Sequence, residues 1–108
     1  MNVEKMNDLS EKVVFLTGAA GLLGTQYASA LSSAGANVVL ADINYTKCKK
    51  IEKELKEKNN VLPFSIKMDI SNKKSIDNAI AKVMKKFSKI DVLVNNAVFP
   101  ETQKERSI

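Results

Sequence analysis

The octapeptide Thr17-Gly18-Ala19-Ala20-Gly21-Leu22-Leu23-Gly24 follows directly on the apolar run Val13-Val14-Phe15-Leu16 and leads into an amphipathic stretch. The β-branched-rich run reads as a strand, and the repeated glycines then dictate a tight turn into a helix. In that order the three parts present backbone N–H groups and the positive end of a helix dipole to an anion. This is how a chain grips a dinucleotide pyrophosphate. The first glycine permits the turn, the second lets the backbone approach the pyrophosphate, and the third lets helix and strand pack closely. The competing reading is a tight strand-to-helix turn that holds no ligand.

Apolar and amphipathic blocks alternate along the remaining chain. Residues 12–16 form a first strand, and 21–34 a helix with Leu23, Tyr27, Ala30, Leu31 and Ala34 inward. Gly35 supplies the left-handed residue that ends a helix. Residues 37–41 form a second strand. Asn44 caps a helix through about Lys58, with an apolar stripe of Tyr45, Cys48, Ile51 and Leu55. Residues 61–68 form a third strand, and Pro63 near its start makes it an edge strand. Ser71 caps a helix over 72–87, with Ile76, Ala79, Ile80, Val83 and Phe87 on one face. Residues 90–94, nearly all apolar, form a fourth strand buried on both sides. Strands separated by helices predict an α/β fold: a three-layer, Rossmann-like parallel sheet in the order 3-2-1-4. The whole chain, 1–108, reads as one domain, incomplete after its fourth strand, with a lead-in at 1–10 and a polar tail at 99–108.

Composition narrows the function classes. The 108 residues include one cysteine and no histidine. Cys48 therefore has no internal disulfide partner, no metal cluster is offered, and the commonest general base is missing. No apolar run reaches membrane-spanning length, and residues 1–5 lack a secretory apolar core, so the default setting is cytoplasmic with no membrane partner. The net charge is +5. Lysines at 47–58, 73–74 and 82–89 alternate with apolar positions at helical spacing, so they read as solvated helix faces. No nucleic-acid partner is expected.

Three further positions carry chemistry. Asp42, at the end of the second strand, follows Gly18 at roughly the 20-residue distance of the acid that binds ribose hydroxyls. A carboxylate there favours NAD over NADP by repelling the extra phosphate, and Ile43 and Asn44 supply no arginine; Lys47 keeps NADP as the alternative. Asp42 also reads as a helix-capping loop acid. Asp69, after the third strand, either contacts an adenine amino group or sits near the dipole of the next helix. Asn95, Asn96 and Ala97 either hydrogen-bond a ligand at the carboxyl end of the fourth strand or simply end it.

These residues resemble the short-chain dehydrogenases/reductases over nearly the whole chain. Thr17–Gly24 is similar to the family's TGxxxGxG motif, Val94–Val98 to its NNAG motif, and Met68–Ser71 to its adenine-contacting Asp-apolar pair. The resemblance implies a nicotinamide cofactor and hydride transfer between it and a carbonyl or alcohol. It places Gly18, Ala20, Gly21, Leu22, Leu23 and Gly24 on the pyrophosphate, and Asp42 with Ile43 at the adenosine ribose. Asp69 and Ile70 line the adenine pocket; Asn95, Asn96 and Ala97 support the central strand and the cofactor.

The sequence departs from the family in three places. Gly21 comes one residue early and Leu22 takes the usual glycine position, giving a spacing similar to that of extended and of some polysaccharide- or flagellin-modifying members. Val98 replaces the last glycine of NNAG. The family's catalytic Asn, Ser, Tyr and Lys fall beyond Ile108, so no catalytic residue is assigned. Tyr45-Thr46-Lys47-Cys48-Lys49 is a literal Tyr-x-x-x-Lys, but it lies at the adenosine end and Tyr45 belongs to the apolar stripe.

The reading that follows is the NAD-binding part of such an enzyme, with weak or absent nucleotide affinity and no turnover on its own, and with a small-molecule substrate only within a complete enzyme. With an unpaired sheet edge it is expected to self-associate or to be only marginally stable. The rival readings are a non-catalytic nucleotide-binding module and a truncated product without activity.

Overall fold

A computed structural model describes residues 9–97. The expected polar tail, most of the lead-in and Val98 lie outside the described residues. The elements run β1 (Val13–Thr17), α1 (Leu22–Ser33), β2 (Asn37–Asp42), α2 (Tyr45–Lys58), β3 (Phe64–Lys67), α3 (Lys73–Phe87) and β4 (Val92–Val94). The four strands form one parallel sheet in the order β3-β2-β1-β4, as predicted.

Strand alternation divides the core. Val14, Leu16, Val38 and Leu40 face α1 and α2, where they meet Ala28, Cys48, Ile51 and Leu55. Val13, Phe15, Val39, Ala41 and Ile66 face α3, where they meet Ala79 and Val83. β1 and β2 are therefore covered on both faces, which is why they read as unbroken apolar runs.

The structure corrects several expectations. The stripe that α1 turns to the sheet is Gly24, Ala28 and Ser32, not the predicted one. Leu23, Tyr27 and Ala30 are exposed, Ala34 is the half-buried C-cap, and of the expected five only Leu31 packs against the core. The close approach of α1 to the turn below it admits only small side chains on that face. In α2, Cys48, Ile51 and Leu55 are buried as expected, but Tyr45 is exposed. In α3, Ile80 is exposed, because the buried line runs through Ala79 and Val83. Asn72, not Ser71, caps α3: its side chain accepts the Ser75 N–H at 3.1 Å. β3 is shorter than predicted, and Pro63 lies just before it. β4 is not buried on both sides; Leu93 is 64% exposed and Val92 40%, since among the described residues only β1 pairs with it.

The two outer strands are finished differently. Met68 N–H donates to the Asp42 carbonyl, so by alternation Ser65 N–H points away from β2. Glu52 of α2 reaches over and accepts that N–H at 2.9 Å. Its other oxygen accepts from Lys49 at 3.0 Å and Lys56 at 3.3 Å. Burial works against the Glu52 charge, but the bonds from Lys49, Ser65 and Lys56 outweigh it and hold its carboxyl below the ordinary value. At the other side, Asp91 ties the start of β4 to β1 by accepting the Val13 N–H at 2.8 Å and the Lys89 ammonium at 3.0 Å. These bonds, led by the Val13 N–H, lower its pKa.

Candidate functional site

All of the predicted positions collect at the carboxyl edge of the sheet, where parallel strands hand over to helices. Gly18, the first residue after β1, has φ +67°, a left-handed conformation. A side chain there would also press on Ala97, whose N and Cα lie 3.0 Å from the Cβ position. Gly24, inside α1, sits so close that a Cβ would run into the Gly18 carbonyl oxygen and lie 2.8 Å from Ala19 Cα. Gly21 is different. Its backbone is extended (φ −78°, ψ 175°) and a Cβ would meet only the Gly18 oxygen at 3.4 Å. What Gly21 supplies is the absence of a side chain over the start of α1.

That start is bare. Gly21 caps α1 with no side-chain bond, and the first turn holds no acidic residue. Thr25 N–H donates to Gly21 O at 2.9 Å and Gly21 N–H to Gly18 O at 3.2 Å. The N–H groups of Leu22, Leu23 and Gly24 have no acceptor among the described residues. Three convergent donors at the positive end of a helix form an anion cradle. Leu22, 79% exposed, and Leu23 border it with apolar surface.

Asp42 closes one side of the cradle. Its Oδ2 accepts the Ala20 N–H at 3.0 Å, and its Oδ1 accepts the Asn44 N–H at 2.8 Å. Ala19 N–H donates to Ala41 O at 3.3 Å, so two successive residues of the turn are joined to the end of β2. Ile43 follows, 62% exposed. Nearby, burial and the charges of Asp42 and Glu52 push the Cys48 thiol up to about 12, which keeps it neutral.

On the other side, the end of β4 folds over the turn. Thr17 Oγ1 accepts the N–H groups of Asn96 at 2.9 Å and Ala97 at 3.0 Å, and lies within donating reach of Val94 O and Asn95 Oδ1. Asn96 Nδ2 donates to Gly18 O at 3.1 Å. Asn95, Asn96 and Ala97 therefore do more than end a strand: Asn96 and Ala97 lock onto the glycine turn. Thr17 is the residue that sequence reasoning missed. Its signals are a hydroxyl on the last residue of a buried strand and its place at the head of the Thr17–Gly24 motif.

Asp69 and Ile70 lie farther along the same edge, after β3. Asp69 Oδ1 accepts from Ser71 Oγ at 2.6 Å and Ser71 N at 2.9 Å, which lowers its pKa, the hydroxyl contributing most. Its own N–H donates to Ser75 Oγ at 2.9 Å, so the segment is fixed to the start of α3. Ile70 packs against the core beneath α3. Tyr45 is exposed at the first position of α2, and the Lys49 ammonium is bonded to Glu52.

Among the described residues no cluster of three His, Cys, Asp or Glu could hold a metal, and no helix is long and apolar enough to cross a membrane. The short chain dehydrogenase family model matches residues 12–108. The chain is 41% identical over 86 residues to a diacetyl reductase [(S)-acetoin forming] of Staphylococcus epidermidis, covering 80% of this chain and 33% of that protein. Among solved structures it is similar to L-sorbose reductase of Gluconobacter frateurii complexed with NADPH and L-sorbose. There the TM-score is 0.82 and the identity 28%, over 88% of this chain and 36% of that one. It is likewise similar to an NAD+-bound xylitol dehydrogenase, with a TM-score of 0.79 and 32% identity, over 84% of this chain and 35% of that one. The chain thus spans about a third of the length of the relatives it matches. The family model, the sheet order and the glycine turn agree: the chain belongs to the short-chain dehydrogenase family, whose members bind NAD(P).

Proposed function

We propose that this chain is the cofactor-holding part of an NAD-dependent oxidoreductase that exchanges hydride with a carbonyl or alcohol substrate. The single observation that carries the choice of NAD is the Asp42 carboxylate at the end of β2, beside the anion cradle. A carboxylate accepts hydrogen bonds from both ribose hydroxyls and repels a 2′-phosphate. Exposed Ile43 and Asn44 add no positive charge beside it.

The residues fit a dinucleotide. The bare N–H groups of Leu22, Leu23 and Gly24 hold the pyrophosphate oxygens, and Ala20 joins this turn to Asp42. Asp42 with Ile43 takes the adenosine ribose, and Asp69 with Ile70 borders the adenine. Asn95, Asn96 and Ala97, fastened to the turn through Thr17, support the nicotinamide half. When bound, the nicotinamide supplies the hydride chemistry; the chain binds and orients it.

The test is a titration of the chain with NADH and NADPH, followed by nicotinamide fluorescence. NADH should bind at least about tenfold more tightly, a difference near 1.4 kcal/mol. The double change Asp42→Ser with Ile43→Arg should reverse the order. Equal or tighter NADPH binding by the unaltered chain would overturn the preference. The exposed apolar side chains of β4 also support self-association of this chain. Sedimentation should then show a concentration-dependent mass that Leu93→Lys lowers, whereas a constant monomer mass would refute it.

A further inference from the structure

The carboxylate of Asp42 makes a contact that gripping a ribose does not require. Its Oδ2 takes the N–H of Ala20, a residue of the glycine turn 6% exposed, at 3.0 Å. Its Oδ1 is anchored by Asn44 N–H at 2.8 Å, so the carboxylate is fixed from both sides. Asp69, the corresponding acid after β3, has no such reach: its bonds are local, to Ser71.

Among the described residues the other donors of the turn meet backbone carbonyls or are bare. Ala19 N–H goes to Ala41 O, Gly21 N–H to Gly18 O, and the N–H groups of Leu22, Leu23 and Gly24 have no acceptor among the described residues. The Ala20 bond is thus the one place where a side chain holds the turn from the β2 side. A charged acceptor makes that bond stronger than a neutral one would. Removing it leaves a buried donor unpaired, and the turn gains a reason to open.

We propose that Asp42 is a positioning residue for the glycine turn, so that the pyrophosphate cradle is set before any nucleotide arrives. The ligand arm of this inference rests on the dinucleotide reading above; the turn arm does not. The carboxylate couples two subsites: whatever draws it away from Ala20 loosens the donors that face the pyrophosphate. Exchanging Asp42 to admit a 2′-phosphate then weakens the grip on the pyrophosphate that both cofactors share.

The test compares the full chain with its Asp42→Ala and Asp42→Asn variants by NMR, without nucleotide and then with inorganic pyrophosphate, which has no ribose. In Asp42→Ala, amide hydrogen exchange at Ala20 should quicken by about tenfold or more, and pyrophosphate should bind about tenfold more weakly. Asp42→Asn keeps one acceptor oxygen for two donors, Ala20 N–H and Asn44 N–H, so both quantities should shift in the same direction as in Asp42→Ala and by no more. Should Asp42→Ala not fold, Asp42→Ser, too short to reach Ala20, takes its place with the same expectation. Unchanged Ala20 exchange in the Ala or Ser variant overturns the proposal. If pyrophosphate fails to bind the unaltered chain while Ala20 exchange responds as expected, the dinucleotide reading falls and the positioning role stands.

Discussion

Helices α1 and α2 lie on the same face of the sheet and start at the same edge, yet they treat their polar groups in opposite ways. α2 opens on Asn44, whose side chain accepts the Lys47 N–H at 3.1 Å. Farther along, its buried Glu52 is satisfied by Ser65, Lys49 and Lys56. α3, on the opposite face, opens in the same manner on Asn72. α1 opens on a glycine with no cap and leaves three donors bare. Asn at that position is worth a few tenths of a kcal/mol over the glycine that stands there. The missing side-chain cap at one of the three described helices leaves that stability unclaimed where the proposed pyrophosphate site lies.

The largest effect should come from closing the space that lets α1 sit so near the turn. Gly24→Ala forces a methyl group against Gly18 and Ala19 backbone, and should cost about 3 kcal/mol with loss of NADH binding. Thermal unfolding and fluorescence titration together check it. Next is the α2 side. Glu52→Ala strands the Ser65 N–H and should cost about 2 kcal/mol at neutral pH, read by urea unfolding.

The same carboxyl sets a pH dependence. Because its folded pKa is held below the ordinary 4.5, its contribution is fully present above pH 4.5 and is lost as pH falls through the lower folded value. Stability of the unaltered chain should fall in that window, and the Glu52→Ala curve should be flatter there. A parallel acid slope in both chains would show that Glu52 is not the group responsible.

Smaller effects bear directly on the caps. Asn72→Ala should cost about 1 kcal/mol and leave NADH affinity unchanged, since that cap serves only α3. Gly21→Asp should do the reverse. The extended backbone there accepts a side chain, so the new carboxylate should stabilise the chain by about 0.5 kcal/mol through capping and the helix dipole. It should also abolish pyrophosphate and NADH binding. A variant that is more stable and still binds would break the contrast between α1 and its neighbours.

The sheet order and the glycine turn were legible because both rest on local pattern: apolar blocks, helical spacing, and glycines at fixed offsets. The placement of Asp42 at the end of β2 was legible from the strand pattern. What escaped were contacts whose partners lie far apart in the chain. Thr17 meets Asn96 and Ala97, and Asp91 meets Val13, across nearly the length of the molecule, and no local pattern announces them. The inward face of α1 was misread for a different reason. Leu23 and Tyr27 carry the hydrophobic weight, but clearance at Gly24 decides the orientation, and clearance is not a property of composition. Ser71 and Asn72 are both good caps; Asn72 holds the position while Ser71 bonds Asp69 instead.

The covered amide of Ser65 has a consequence for life in a crowded cell. An extended stretch of some other polypeptide, drifting alongside β3, finds the Ser65 donor already taken by Glu52 and a proline at the approach, and only the Lys67 N–H still turned outward. Adventitious strand addition, the first step toward fibrils, is discouraged on that flank. A neutral carboxyl is a poorer acceptor than a carboxylate, so strong acid weakens the cover on that flank.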